Sequence, residues 1–190
     1  MQKYRNRSAD LWLEVPEDEG CGFAMARSGT DQGKTRFVPA ALIAAGLALT
    51  IPAAGGVDST ALIVGDFSNG NDGVVLKGKK DLKDIKGQTV NLVELSVSHY
   101  LLARGLESVG MTEKDVKVIN TSDADMVAAY TTDDVTAVVT WNPLLSEIEA
   151  MPNSTKVFDS GKIPGEIIDL LVVNTETLKA NPDFGKALVG

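Results

Sequence analysis

Short apolar runs alternate with amphipathic stretches from residue 57 onward. The stretch 96–109 carries apolar side chains at i, i+3 and i+4 spacing and is followed by Gly110, which is typical of a helix and its C-terminal cap. The apolar runs of strand length are residues 59–65, 74–76, 89–92, 116–120, 135–141, 156–159 and 167–174. This alternation predicts an α/β fold with a mostly parallel or mixed sheet covered by helices.

Capping residues predict where the other helices begin. Ser122 precedes a helix to about residue 131, with Asp123 and Asp125 in a first turn where negative charge is favoured. Pro143 suits the first turn of a helix to about residue 150, and Thr175 opens a last helix. Residues 81–85 suggest a short helix, and residues 112–115 a capping box.

The first 46 residues follow a different pattern. Residues 1–35 show no periodicity, which is typical of a weakly ordered tail. Residues 34–54 combine a basic start, an apolar run and small residues, as a secretory signal does. The same run also fits a buried helix over 38–49 that ends before Pro52. Because 33 residues precede the basic start, the pattern alone leaves both interpretations open.

Composition narrows the classes of function. A formal net charge of -8 argues against nucleic-acid and anionic-membrane partners, which need basic patches. Cys21 and His99 are the single cysteine and histidine, so we expect no internal disulfide, no Cys/His metal centre and no cofactor. The spacing of Asp123, Asp125, Asp133 and Asp134 does not match a calcium-binding EF-hand loop and favours a solvated acidic face.

The junction after residues 89–92 is the most informative candidate site. A predicted strand leads there into a helix that begins with Ser96, Ser98 and His99. Ligands of open parallel sheets sit at the carboxyl ends of strands, and free N–H groups at a helix N-terminus bind anions. The simpler interpretation is that Ser96 only caps the helix and His99 lies on the surface.

Two other polar segments lie at predicted strand ends. Trp141 and Asn142 follow a strand, where an indole ring offers a flat apolar wall and one N–H donor. The loop before residue 74 contains side chains of donor and acceptor types: Ser68, Asn69, Asn71 and Asp72. A buried or rim tryptophan and a plain turn remain the alternatives.

Four segments together resemble a known family. SNGNDGVV (68–75), LKDIKGQTV (82–90), SHYLL (98–102) and AVVTWNP (137–143) resemble, in sequence and in order, the nitrate/sulfonate/taurine/urea-type substrate-binding proteins of ABC importers. The resemblance covers residues 48–190. It implies a type II periplasmic-binding fold, in which two α/β lobes close around a ligand.

The resemblance also implies ligand-binding residues. The loop with Ser68, Asn69, Asn71 and Asp72 would lie near the hinge and cleft, and the helix start with Ser96, Val97, Ser98 and His99 would face the ligand. Trp141 and Asn142 would line the other side of the same lobe. Asp169, on the strand that returns to the first lobe, is a further candidate.

The sequence departs from the family at both ends. The opening strand, ligand loop and helix of the first lobe are not recognisable in residues 1–46, and the family continues beyond residue 190. We therefore expect an atypical segment over 1–46, disordered or helical, and a remnant of the first lobe and hinge over 47–75. The second lobe would span 76–173, and residues 174–190 would begin the helical return. The resemblance favours the helix over the signal for 38–49.

The predicted function is that of a periplasmic, non-enzymatic solute-binding component that delivers its ligand to an ABC permease. The ligand would be a small polar or anionic molecule such as urea, an amide, nitrate, taurine or an alkyl sulfonate. One alternative is an enzyme of precursor synthesis or hydrolysis on the same fold, with His99 as acid or base. Another is a non-functional fragment that forms a homodimer through the exposed face of its incomplete lobe.

Overall fold

A computed structural model describes residues 2–6, 11–15, 25–28, 36–44 and 55–190 of the chain. The chain divides into two compact units. The central unit is Phe67–Ile167, and the terminal unit combines Met1–Asp66 with Ile168–Gly190. The predicted lobe boundaries at 75/76 and 173/174 lie several residues from these divisions, and the assignment of the units to lobes stays a prediction.

The strands and helices have the following bounds. The strands are β1 (Gln2–Asn6), β2 (Leu11–Val15), β3 (Met25–Ser28), β4 (Arg36–Ala44), β5 (Ser59–Phe67), β6 (Asp72–Lys77), β7 (Thr89–Leu92), β8 (Lys117–Asn120), β9 (Ala137–Trp141), β10 (Ser154–Asp159) and β11 (Ile168–Asn174). The helices are α1 (Val97–Ser108), α2 (Asp123–Thr131), α3 (Leu144–Glu149), α4 (Thr175–Ala180) and α5 (Pro182–Val189). Short 3₁₀ turns cover Leu82–Ile85, Glu113–Asp115 and Ser160–Lys162.

The central unit contains a five-stranded mixed sheet in the order β10-β6-β9-β7-β8. Strand β7 pairs in parallel with β8 and β9, whereas β6 is antiparallel to both β9 and β10. The predicted α/β class with a mixed sheet is thereby confirmed.

Helices cover both faces of this sheet. Helix α1 packs against β6, β9 and β10, and the bare backbone of Gly105 lets it approach Phe158 closely. The opposite face is covered by α2 and α3, whose side chains form one cluster with those of the strands: Val75, Met126, Tyr130, Val138, Leu145 and Ile148. Because side chains alternate along a strand, Val139 and Trp141 belong to the α1 face and Thr140 to the α2/α3 face.

The terminal unit contains a six-stranded sheet in the order β1-β2-β3-β4-β11-β5. Strands β1 to β4 pair in succession as antiparallel neighbours, and β11 runs antiparallel to β4, from Asp169 opposite Ala44 to Val173 opposite Ala40.

The predicted helix over 38–49 is therefore wrong for residues up to 44, which belong to β4. Residues 36–39 of β4 pair with β3 and residues 40–44 pair with β11, and these ladders outweigh the helix propensity of its alanine and leucine residues. The remainder of that predicted helix, and most of the signal-like stretch to residue 54, lies outside the described residues. The aperiodic stretch 1–35 contains the strands β1 to β3.

The predicted last helix consists of two, α4 and α5, which meet at Asn181. Pro182 opens α5, and proline has no N–H group to continue the hydrogen bonds of the preceding helix. Phe184 of α5 packs with Val173 of β11 and with Leu62 and Leu178. Among the helices in the described part of the chain, none has the length and apolar character needed to cross a membrane.

Candidate functional site

One edge of the central sheet collects the polar segments. Strands β7, β8, β9 and β10 all run in one direction and end at this edge, and the antiparallel β6 begins there. The sheet therefore brings together the start of α1, the Trp141–Asn142 segment and the loop before β6, which we call the sheet-end cluster.

The loop before β6 is organised by Ser160, which follows β10. The fully buried Ser160 Oγ accepts a hydrogen bond from the Gly70 N–H at 2.8 Å and lies 2.7 Å from Ser68 Oγ. Ser68 Oγ in turn donates to the carboxylate of the buried Asp72. Sequence reasoning missed Ser160. The sequence Asp159-Ser160-Gly161 directly after a predicted strand was a usable signal, because its position matches that of Trp141–Asn142.

Asp72 and Trp141 lie opposite each other in the β6/β9 ladder. The Asn142 N–H extends this pairing by donating to the Asn71 carbonyl at 3.0 Å. Asn142 Oδ1 accepts from the N–H of Ser146 at 3.1 Å and from its hydroxyl at 2.6 Å. The side-chain oxygen Oδ1 of Asn142 therefore holds the start of α3. Its side-chain nitrogen Nδ2 is the group left for any contact with a ligand.

The N-terminus of α1 combines a side-chain cap with the absence of acidic residues from its first turn. Ser96 Oγ accepts from the Ser98 N–H at 3.1 Å and donates to the Val93 carbonyl at 2.7 Å. By helix geometry the N–H groups of Val97 and His99 have no partner inside the helix. Such an end favours a negatively charged group.

Ser98 is fully buried, and its Oγ has no hydrogen-bond partner among the described residues. It shares the buried face of α1 with Leu101, Leu102 and Gly105. An unpaired buried hydroxyl costs about 1–3 kcal/mol, so native structures rarely keep one without a reason. The Ser98 hydroxyl is therefore a buried donor and acceptor in the first turn of α1 that has no partner among the described residues.

Four other buried polar atoms lack hydrogen-bond partners among the described residues: His99 Nε2, Asp123 Oδ1, Asn91 Oδ1 and Thr140 Oγ1. The last two lie on strands of the central sheet. Both side chains belong to the α2/α3 face, since Asn91 pairs with Val138 and Thr140 follows it by two residues. The Asn91 amide donates to Thr121 Oγ1 at 2.9 Å. The atoms of Asn91 and Thr140 are thus separated from Ser98 by the sheet.

His99 is committed to the turn that precedes α1. Its Nδ1 accepts from the Leu95 N–H at 3.1 Å. Its Nε2 lies 3.2 Å from Glu113 Oε1, without hydrogen-bond geometry. Leu95 has a φ of 59° and is 74% exposed, so the turn holds a bulky residue in the left-handed region.

Asp169 lies on β11 in the terminal unit, whereas the other candidate residues lie in the central unit. Partial burial and the neighbouring Asp66 carboxylate raise the pKa of Asp169. Its contribution to a ligand site stays a prediction. Asn69 of the central unit is exposed and lies beside Gly161.

The start of α2 differs from that of α1 because Asp123 and Asp125 occupy its first turn. Burial raises the pKa of Asp123, and Ser122 Oγ donates to Asp125 Oδ2 at 2.6 Å, so it does not cap the helix as expected. This end already carries negative charge. Within the described ranges, no group of three or more histidine, cysteine, aspartate or glutamate side chains could hold a metal ion.

A polar cluster on α1 was not expected from the sequence. Tyr100, assigned to the apolar stripe, is half-buried and its hydroxyl donates to Glu166 Oε2 at 2.7 Å. Arg104 binds the same carboxylate through Nε at 2.7 Å and Nη2 at 3.1 Å. These bonds from Arg104 and Tyr100 lower the pKa of Glu166. The cluster fastens the segment before Ile167 to α1.

Comparison with known proteins agrees with the resemblance in the sequence. The taurine-binding periplasmic protein of Escherichia coli is 23% identical over 130 residues, which are 66% of this chain and 40% of that protein. A Brucella abortus protein named only as a binding protein is 27% identical over 146 residues, 75% of this chain and 45% of its own length. The chain thus spans less than half the length of these relatives.

Solved structures show the same fold. The periplasmic aliphatic sulphonate-binding protein of Escherichia coli superposes with a TM-score of 0.66 at 20% identity, over 78% of this chain and 52% of that one. The periplasmic nitrate-binding protein of Synechocystis superposes with a TM-score of 0.58 at 14% identity, over 84% of this chain and 46% of that protein. The desulfurization enzyme DSZB also superposes, with a TM-score of 0.52 at 16% identity, over 84% of this chain and 63% of the enzyme.

These likenesses show the type II periplasmic-binding fold, which this chain shares with binding proteins and with one enzyme. The family described as NMT1/THI5 like matches residues 70–190, which is more than half of the chain. The match includes the whole α1 helix and the Trp141–Asn142 segment. The chain therefore belongs to the NMT1/THI5-like family.

Proposed function

We propose that this chain is part of a periplasmic solute-binding protein of an ABC importer and binds a small anion at the sheet-end cluster. An alkyl sulfonate, taurine or nitrate is the expected ligand class. The observation that carries the proposal is the buried Ser98 hydroxyl, which has no partner among the described residues and lies in the first turn of α1, a turn without acidic side chains. A sulfonate or nitrate oxygen would accept from this hydroxyl and from the first-turn N–H groups.

The other residues of the cluster would shape the site. Trp141 belongs to the face of the sheet that α1 covers and would offer an apolar wall for a short alkyl chain. Ser68 and Asp72 would shape the site through their mutual hydrogen bond, which helps to fix the loop before β6 together with Ser160. Asn69, Asn71 and Asn142 are amide donors near the same edge, and Asp169 remains a candidate from the terminal unit.

The relatives support this ligand class by their names, which give taurine, aliphatic sulphonate and nitrate. They are periplasmic proteins, which supports a periplasmic location and an ABC permease as the partner. In such importers, closure around the ligand presents the loaded protein to the permease. Urea stays a prediction from the resemblance, and the relatives lend no support to the predicted homodimer.

We propose binding without turnover. His99 is the single histidine and thus the single imidazole that could act as a catalytic acid or base. Its Nδ1 already accepts a hydrogen bond from Leu95, and its Nε2 lies beside the exposed Glu113. Because the enzyme DSZB has the same fold, an enzymatic function is the alternative. Incubation with ethanesulfonate and with taurine, followed by NMR of the small molecules, separates the two because conversion of either would contradict pure binding.

A ligand screen tests the proposal. Thermal unfolding of the full chain is measured with ethanesulfonate, taurine and nitrate, and with urea as the uncharged comparison. We expect at least one anion at a hundredfold excess over its dissociation constant to stabilise the chain by about 2.7 kcal/mol. Ser98→Ala should remove the stabilisation. Ser108→Ala, at the other end of α1 and exposed, is the matched control. Absence of any stabilisation by the anions would contradict the proposal.

A further inference from the structure

We infer that His99 is a positioning residue for the proposed ligand site: its Nδ1 holds the turn at Leu95 and does not contact the ligand. This inference rests on the proposed function and changes the role predicted for His99 from ligand contact to support of the helix start. Its basis is the bond from the Leu95 N–H to Nδ1, which joins the turn to the first turn of α1.

Leu95 needs such a restraint. Its φ of 59° is disfavoured for a bulky side chain, because Cβ crowds the following carbonyl oxygen. The side chain is 74% exposed, so packing does not hold this conformation. The neighbours of Leu95 are tied elsewhere: the Glu94 N–H donates to Asn120 Oδ1 at 2.9 Å, and Ser96 Oγ donates to the Val93 carbonyl. The bond to His99 is what fixes Leu95 itself.

The bond requires a particular state of the imidazole. Because Nδ1 accepts from an N–H group, it carries no proton, and the proton of the neutral ring sits on Nε2 beside Glu113. Protonation of the ring turns Nδ1 into a donor that faces another donor. The turn then loses its restraint, and Leu95 can relax toward an ordinary conformation.

The effect of keeping only the hydrogen-bond acceptor separates positioning from contact. If His99 touched the ligand directly, a variant that keeps only an acceptor for the Leu95 N–H would lose affinity. If His99 positions the turn, such a variant keeps both the bond to Leu95 and the affinity. The two roles thus predict different results for the same substitution.

Three variants of the full chain test the inference. Asn places its Oδ1 where His places Nδ1, so His99→Asn should keep the acceptor without the charge change. Gln places its amide near the position of Nε2, so His99→Gln should not restore the bond to Leu95. His99→Leu removes all polar atoms. Circular dichroism confirms that each variant folds, and amide hydrogen exchange of Leu95, read by NMR, reports the bond without any ligand.

Affinity for ethanesulfonate is then measured for the wild type and each variant at pH 8. We expect His99→Asn to bind about as tightly as the wild type. His99→Gln and His99→Leu should bind roughly tenfold more weakly than His99→Asn at pH 8 and lose protection of the Leu95 amide.

The outcomes are distinct. Equal Leu95 exchange in all variants, or equal affinity of His99→Leu and His99→Asn, overturns the inference, as does a loss of affinity in His99→Asn while the Leu95 amide stays protected. If ethanesulfonate does not bind the wild type while the exchange pattern appears as expected, the proposed function fails for this anion. The same result supports the hold of His99 on the turn.

Discussion

The hydroxyl oxygens of Ser68 and Ser160 lie 2.7 Å apart, although 92 residues separate them along the chain. Ser160 also accepts from the Gly70 N–H, and Ser68 donates to Asp72. The loop before β6, near the start of the central unit's sequence, is therefore held by a residue near the end of that sequence. This long-range support fixes the loop more firmly than its own asparagine and glycine residues could.

Replacing Ser160 tests this support. Ser160→Ala removes the acceptor of the partly buried Gly70 N–H and one of the two partners of the Ser68 hydroxyl, so we expect unfolding stability to fall by about 1 kcal/mol. Chemical denaturation measures the change. Ser108→Ala, which removes an exposed hydroxyl bonded within its own helix, should change stability by under about 0.5 kcal/mol. Equal effects of the two substitutions would contradict the role of Ser160.

Ser98→Ala should separate folding from binding. The substitution removes a buried hydroxyl that has no partner among the described residues, so we expect the unliganded chain to be as stable as the wild type or more stable by about 1 kcal/mol. Stabilisation by ethanesulfonate should fall at the same time. Thermal unfolding with and without the anion gives both quantities. A clear loss of stability in the unliganded variant would mean that Ser98 is bonded in the native state.

Leu95→Gly should relieve backbone strain. Glycine adopts a positive φ at no steric cost, so we expect stability to stay level or rise by about 1 kcal/mol. Asn153, whose φ is 61°, is the matched control, because asparagine already tolerates this region and Asn153→Gly should have little effect. Urea denaturation of the two variants compares them. Destabilisation by Leu95→Gly alone would show that the exposed leucine side chain is held by contacts.

The Glu166 cluster should contribute to acid sensitivity. Arg104 and Tyr100 lower the pKa of Glu166 in the folded state, so the ionised carboxylate contributes stability above the pKa of the unfolded chain, ordinarily about 4.3. This contribution is lost as the pH falls through the lowered pKa.

The comparison with a variant checks that sign. Glu166→Gln should lower stability at pH 7 and lose less stability between about pH 5 and pH 2 than the wild type does. Glu147→Gln, at an exposed position on α3, serves as the control and should follow the wild-type profile. Parallel stability curves for Glu166→Gln and the wild type would contradict the prediction.

Much of the central unit follows from local sequence patterns. Residues 89–92 and the α1 helix were predicted almost to the residue, because apolar periodicity, Ser96 as a cap and Gly110 after the end all favour the same structure. Ligands of open sheets bind at strand ends, and this rule indicated three polar segments as candidates. The sheet brings these three segments to one edge. Their contact with a ligand stays a prediction.

Residues that act through distant partners were not predictable in this way. Ser160 and Glu166 have no local pattern that reveals Ser68 or Arg104 as partners, and Tyr100 fits an apolar stripe although its hydroxyl binds Glu166. Strand β4 was missed because its alanine-rich sequence favours a helix, whereas pairing with β3 and β11 decides its structure. Sequence periodicity reports local preference, and these features depend on tertiary pairing.

The chain enters and leaves the central unit at neighbouring points, since the Ser68 N–H donates to the Ile167 carbonyl at 2.8 Å. This is the topology of an inserted domain, in which a complete folding unit interrupts the sequence of another. Such a unit can be excised by two cuts, and joining its adjacent ends with a short linker permits new termini elsewhere on its surface. Residues 67–167 are thus a natural candidate for a circularly permuted domain.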